Sequence, residues 1–251
     1  MMIIQPINIH PQPISALLVH ALQIGKRIWL SQFPVLFLVA SLLYWSQQGL
    51  ADWALSKGWH SSFVPLITAP VSVFFTNLYL VYVAIVLKRS DSGIHWDQQL
   101  QAVSATAVLL PTVILASLLS FAAIFLGTIL LIIPGLLLLL WFTVFPQIAA
   151  FERIGAMASL KRSLFLVKGS SLRVAGLLLA FIAIRLVLQL VPELLFPTAA
   201  SQPGLTFSLF IISEMLILPF EGAAYYLLYL ELRARKEAFD YEVYREEAKA
   251  G

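Results

Sequence analysis

Apolar residues are gathered into six long blocks separated by short polar or charged stretches. The blocks run from about Ile28 to Gln48, Ser62 to Leu87, Ser104 to Leu126, Leu130 to Ala150, Leu172 to Phe196 and Leu205 to Leu232. Each is long enough for the roughly 20 residues a membrane-spanning helix needs. Between Asp97 and Glu152 there are 54 residues without an Asp, Glu, Lys or Arg. As one helix this run would be about 81 Å long at roughly 1.5 Å per residue, against a hydrocarbon core of about 30 Å. It has to cross, turn and cross again. A transmembrane β-barrel would alternate lipid-facing and lumen-facing residues, whereas GTILLIIPGLLLLLWF (127–142) is apolar on every side. The predicted fold is therefore all-α: a polytopic membrane helical bundle of about six transmembrane helices with cytoplasmic interfacial helices beside them.

Two segments are too polar to cross. Residues 1–27 form an amphipathic N-terminal segment, with Pro11 and Pro13 keeping its start extended and a helix expected from Ile14 to Arg27. No early apolar stretch is followed by a small-residue cleavage site, so a cleavable signal peptide is not expected and the first span serves as insertion signal. Residues 152–168 place Ile154, Met157, Leu160, Leu164 and Val167 at spacings of three and four. That spacing makes one apolar stripe and predicts a helix lying in the cytoplasmic headgroup layer. Arg153, Lys161, Arg162 and Lys168 supply its candidate contacts to lipid headgroups. Gly169 suits its end, and Ser170 or Ser171 suits the start of the fifth span. The transmembrane domain is thus 28–232. The tail, 233–251, carries five charges of each sign and continues the last helix, with Arg233/Glu237 and Lys236/Asp240 at i,i+4 spacing.

Composition agrees. Hydrophobic residues make up 60% of the chain and charged residues 12%, against about 45–50% and about 25% in soluble domains. A large soluble domain, a disordered chain and a nucleic-acid binder with a broad basic face are excluded. The net charge of +3 is not spread over a surface. If the N-terminal side is called inner, it receives Lys26, Arg27, Lys88, Arg89, Arg153, Lys161, Arg162, Lys168, Arg173, Arg233, Arg235, Lys236, Arg245 and Lys249, which is 14 of the 16 basic residues. The outer side receives Lys57, and Arg185 lies within a span. Cytoplasmic loops are the ones rich in Lys and Arg, so both termini are expected in the cytoplasm, beside anionic phospholipids. Trp45, Trp53 and Trp59 belong at the outer interface and Trp29 and Trp96 at the inner one, while Trp141 falls in mid-span and is assigned to helix packing.

Ionisable residues inside a membrane are costly, roughly 2.5–3.5 kcal/mol each on insertion scales, and so point to pairing or function. Arg185, Gln189 and Glu193 are spaced by four and share one side of the fifth span. Glu214 and Glu221 are seven apart and share one side of the sixth. Counted from the outer helix ends, depth matches Arg185 to Glu214 better than to Glu221. These five residues are the candidate intramembrane polar site, read either as an ion pair fixing helix register or as a proton or substrate site. Pro111, Pro134-Gly135, Pro146 and Pro219 interrupt spans, as do the broken helices of transporters and as ordinary membrane helices also do. HExxH, GxSxG, phosphate-loop and GxGxxG motifs are absent, as are cysteines. The four histidines, His10, His20, His60 and His95, fall outside the spans on both sides. No cofactor, metal or catalytic residue is expected.

Residues 131–170, LIIPGLLLLLWFTVFPQIAAFERIGAMASLKRSLFLVKGS, resemble the YciC-like family of bacterial inner-membrane proteins through Pro134-Gly135, Trp141, Pro146, Ser163 and Gly169. They also resemble the membrane domain attached to some glycerophosphodiester phosphodiesterases. YLELRARKEAFDYE (229–242) is similar to the YYDLR-RKEGFD ending of that wider group, with Glu231 in place of Asp and Ala238 in place of Gly. The resemblance implies a six-helix inner-membrane fold and no activity, since the catalytic barrel of those phosphodiesterases is a separate soluble domain. The expected function is a non-catalytic scaffold or accessory in an envelope or lipid-related process, with the bilayer and possible membrane-protein partners as its contacts and no nucleic acid. The alternatives are a small secondary transporter or lipid-handling channel using the Arg185 region and, more weakly, an intramembrane enzyme.

The charge asymmetry makes a direct prediction. Single cysteines at Ser56 and Ser201 react with an impermeant thiol reagent applied outside intact cells, and one at Ser90 does not. Reaction at Ser90 would reverse the orientation.

Overall fold

The structure, a computed structural model, describes residues 13–89, 96–197 and 202–237. The helices are α1 (Ile14–Trp29), α2 (Phe33–Ser56), α3 (Val64–Arg89), α4 (Trp96–Leu130), α5 (Ile132–Trp141), α6 (Phe145–Glu152), α7 (Ala156–Val167), α8 (Ser171–Leu195) and α9 (Pro203–Glu237). A single 3-10 turn, Ser61–Phe63, precedes α3. Six stretches are long and apolar enough to cross a membrane: α2, α3 with its 3-10 turn, α4, α5 with α6, α8 and α9. The chain is an all-α, multi-pass integral membrane protein, and the six spans follow the apolar blocks, except that the first runs from Phe33 to Ser56, later than the block at 28–48, whose start belongs to α1.

One span is longer than its apolar block, and the last runs on into the tail as expected. α4 and α9 have 35 residues each, about 52 Å at roughly 1.5 Å per residue, so both extend past a 30 Å core. The fourth span is not one helix. It stops at Trp141 and resumes at Phe145, because Pro146 has no N–H to continue the ladder and is accepted only in a first helical turn.

α9 is the central post. Its side chains from Ile217 to Arg233 are buried apart from a half-buried Phe220, and α1, α2, α3, α6, α7 and α8 all pack on it. Opposite it, every α3 side chain from Tyr79 to Val86 is buried. Gly222 permits this approach, since a Cβ there would lie 3.0–3.2 Å from Val83 side-chain carbons. The α4–α5 hairpin closes in the same way: a Cβ on Gly135 would lie 2.7 Å from the Thr128 backbone nitrogen.

Both helices expected in the headgroup layer use their apolar faces on the protein itself. α1 packs Leu17, Ala21, Gly25 and Ile28 inward along α9. The 152–168 segment is broken at Arg153, whose φ of +49° is left-handed, and α7 starts only at Ala156. Its buried face is Ala156, Ser159, Leu160, Ser163, Leu166 and Val167. Of the expected stripe, Leu160 and Val167 are buried and Ile154 and Leu164 half-buried, whereas Met157 is exposed. Small Ala and Ser side chains outrank the larger Met here because they let α7 come close to α4, α5 and α6. Gly169 adopts the left-handed conformation expected of it (φ +91°), but Ser170 begins α8 without a side-chain capping bond.

Trp29 also departs from expectation. Its indole is not at the inner interface but inside the bundle, donating to the Met215 carbonyl at 2.7 Å, about 27 Å along α9 from Arg233 at roughly 1.5 Å per residue. That carbonyl would ordinarily accept from residue 219, which is proline and has no N–H. The same device recurs twice. Pro192 leaves the Leu188 carbonyl without its helical donor, and the Ser213 hydroxyl reaches it at 3.3 Å while also contacting Leu209 O at 2.9 Å. At the α5–α6 break, the Ser163 hydroxyl donates to Trp141 O at 2.6 Å. These three interruptions are each closed by a side chain from another helix, whereas α3 and α4 run on through Pro70 and Pro111.

Trp29→Phe removes one such donor and lowers unfolding free energy in detergent by about 1–3 kcal/mol, the cost of an unsatisfied buried acceptor. Pro219→Ala restores the helical donor, so Trp29→Phe costs less in that background. Equal losses in both backgrounds, read from chemical unfolding in mixed micelles, would remove the carbonyl from the explanation.

Candidate intramembrane site

α8 is held to α9 at few points. Between residues 182 and 191 only Arg185 and Leu188 are even partly buried. Arg185 lies about 15 Å from the outer end of α8, and Glu214 and Glu221 about 16 and 27 Å from the outer end of α9, at roughly 1.5 Å per residue. The guanidinium sits between the two acids, with Nη1 donating to Glu214 Oε1 at 2.9 Å and Nη2 to Glu221 Oε2 at 2.6 Å. Depth matching alone favours Glu214, but the arginine is long enough to take both. The Glu214 and Glu221 side chains are only 13% and 8% exposed, while Arg185 retains 31%.

The surroundings extend this cluster. The Tyr225 hydroxyl contacts Glu221 Oε1 at 3.4 Å, and Tyr79, an electrostatic neighbour of Glu221, donates to Gln32 Oε1 at 2.7 Å. Ser213, next to Glu214, caps Leu188 one turn above Arg185. The predicted polar stripe on α8 therefore divides. Arg185 turns into the bundle, whereas Gln189 is exposed and joins no part of the cluster. The Glu193 side chain lies outside what the structure describes.

A second set of ion pairs ties the inner ends together. Glu231 accepts from Arg173 at 2.7 Å and from Arg235 at 2.9 Å. Glu152 accepts from Arg162 and from the Tyr229 hydroxyl, both at 3.2 Å. Glu237 pairs with Arg162 and, at 3.1 Å, with Arg233. Arg233/Glu237 is one of the two i,i+4 tail pairs expected; in the other, Lys236/Asp240, Asp240 lies outside the described residues, as do the rest of 238–251 and 1–12. Arg162 is thus not a free headgroup contact. Partial burial works against its charge, but the carboxylates of Glu152 and Glu237 outweigh this and its pKa is raised. Arg153, Lys161 and Lys168 are exposed, as a headgroup contact requires. Beside them a shallow depression of about 420 Å³ opens at the α7–α8 turn, lined by Gly169, Ser170, Ser171, Leu172, Arg173 and Arg235.

Among the described residues no three His, Cys, Asp or Glu side chains are grouped to hold a metal. His60 is used locally, accepting from Ser62 N at 3.3 Å. Ser213, Tyr79, Tyr225 and Gln32 were not singled out by sequence, because a neutral side chain inside an apolar block carries no mark of the helix it will meet. Only the pairing of Pro192 with a missing donor hints at Ser213. No protein family, curated protein or solved structure matches the chain.

Arg185→Leu leaves two uncompensated acids and is the most damaging single change at this site, about 3–5 kcal/mol by analogy with broken buried pairs. Glu214→Leu and Glu221→Leu cost less, because each leaves Arg185 one partner. Adding Glu214→Leu to Arg185→Leu recovers part of the loss. Thermal unfolding in mild detergent reads all four, and strictly additive losses would mean that the contact carries no coupling.

Proposed function

We propose that the protein is a non-catalytic scaffold or accessory of a bacterial inner membrane, both termini cytoplasmic, acting in an envelope or lipid-related process. The observation that carries this reading is how the charged side chains within the spans are used. Arg185 is engaged by Glu214 and Glu221, and the site's geometry joins two helices rather than presenting converging groups to a substrate. Exposed Arg153, Lys161 and Lys168 give the inner side a basic rim for anionic phospholipid. The resemblance of residues 131–170 to YciC-like proteins supports the same membrane and the same absence of a catalytic domain. A partner in the membrane completes the reading.

One observation favours the transporter alternative: the Arg185 side chain keeps 31% of its surface exposed, in a span that carries an internal proline. The two readings separate in reconstituted vesicles. A scaffold carries no proton or monovalent-cation flux above that of empty vesicles, and in mild detergent it retains anionic phospholipid and a membrane-protein partner. A flux that Arg185→Gln abolishes would overturn the scaffold reading.

A further inference from the structure

Arg185 brings one positive charge to two carboxyl groups. With both acids ionised the cluster would hold a net charge of −1 among buried side chains, where an uncompensated charge is far more costly than in water. The oxygens are not equivalent. Glu221 has both engaged, Oε2 with Arg185 and Oε1 with the Tyr225 hydroxyl. Glu214 gives Oε1 to Arg185, but its Oε2 is buried and has no hydrogen-bond partner.

Among the described residues no second cation pairs with either acid. On α1, Lys26 and Arg27 are exposed and His20 is half-buried. α2 offers Tyr44, packed on Phe207 and Phe210, and Asp52, an acid close to the outer helix end. α3 offers Tyr79 and Tyr82, both hydrogen-bonded to glutamines, Lys88, which lies over the Phe151 ring, and Arg89, the last residue of the helix. On α6 and α7, Glu152 and Arg162 bind each other, and Lys161 is exposed. Arg173, the other cation of α8, is bound to Glu231.

We propose that the Arg185–Glu214–Glu221 triad binds one proton, held on Glu214 Oε2. The ligand comes from water, and with it the triad is neutral: one guanidinium, one carboxylate on Glu221 and one carboxylic acid on Glu214. The orphaned oxygen is then part of a neutral group, whose burial costs much less than that of an anion. The proton is a resident one. It lets two acids and one base sit together where α8 leaves the bundle, and it requires no path across the membrane, so the proposal stands apart from the scaffold reading and from its flux test.

Infrared spectroscopy on the full chain in lipid nanodiscs at neutral pH reads this directly, through the carbonyl stretch of a protonated carboxyl and its shift in heavy water. The unmodified protein shows one such group. Glu214→Gln removes the band. Glu221→Gln also removes it, because Arg185 then faces a single acid that ionises. Arg185→Gln doubles the band, since neither acid retains a cation. Helical circular dichroism and a monodisperse elution profile confirm that each variant is folded. Absence of the band in the unmodified protein, or its survival in either glutamine variant of the acids, would overturn the proposal; the first of these measurements needs no variant.

Discussion

The constraint on which this structure depends is that a membrane offers no water to a backbone carbonyl. A helix satisfies its own carbonyls only while every fourth residue onward has an N–H, and this chain breaks that rule at Pro70 and Pro111 as well as at Pro192, at Pro219 and at the α5–α6 junction, the last three being the ones closed from another helix. Each break exposes an acceptor that hydrocarbon cannot solvate. Trp29, Ser213 and Ser163 supply the missing donors from other helices. The breaks therefore become joints. Trp29 locks α1 against α9, Ser213 locks α9 against α8, and Ser163 locks α7 against the end of α5.

The same economy governs charge. The acids of α9 are paired in tiers, Glu214 and Glu221 with Arg185 at membrane depth and Glu231 and Glu237 with Arg173, Arg235, Arg162 and Arg233 near the inner end. Because α9 is also the helix on which most others pack, its acids fix the rotation of α7 and α8 about it. Buried ion pairs are weak evidence for stability and better evidence for register, and here the register is that of peripheral helices on a central one. The outer half of α8 is the limiting case: its remaining side chains are largely exposed, so Arg185, Leu188 and Ser213 decide where it lies.

Small residues set the distances over which these contacts operate. Gly222 brings α9 onto Val83, Gly135 closes the α4–α5 hairpin on Thr128, and Ala156, Ser159 and Ser163 bring α7 under α5 and α6. Without an aqueous driving force between helices, close approach and a few hydrogen bonds are what hold membrane helices together. That is why α7 presents serine rather than methionine to the protein, and why Met157 faces outward.

The six spans and their all-helical character were legible in the sequence because each is a local or summed property. A run of 54 residues without charge is apolar whatever it meets, whereas Lys26 and Arg27, counted with the inner basic residues, lie between Gly25, packed on Phe220, and Trp29, bonded to Met215, well along α9 from its inner end. Arg185, Glu214 and Glu221 could likewise be picked out, since a charge in an apolar block is conspicuous alone. What the tertiary structure decided is which groups meet. The choice of both acids by Arg185, the use of Trp29 inside the bundle and the loss of Arg162 as a headgroup contact depend on helix crossings that join residues 29, 186 or 75 positions apart. No periodicity carries that information, because the energy of a donor in hydrocarbon is set by whether an orphaned acceptor on another helix lies within about 3 Å of it.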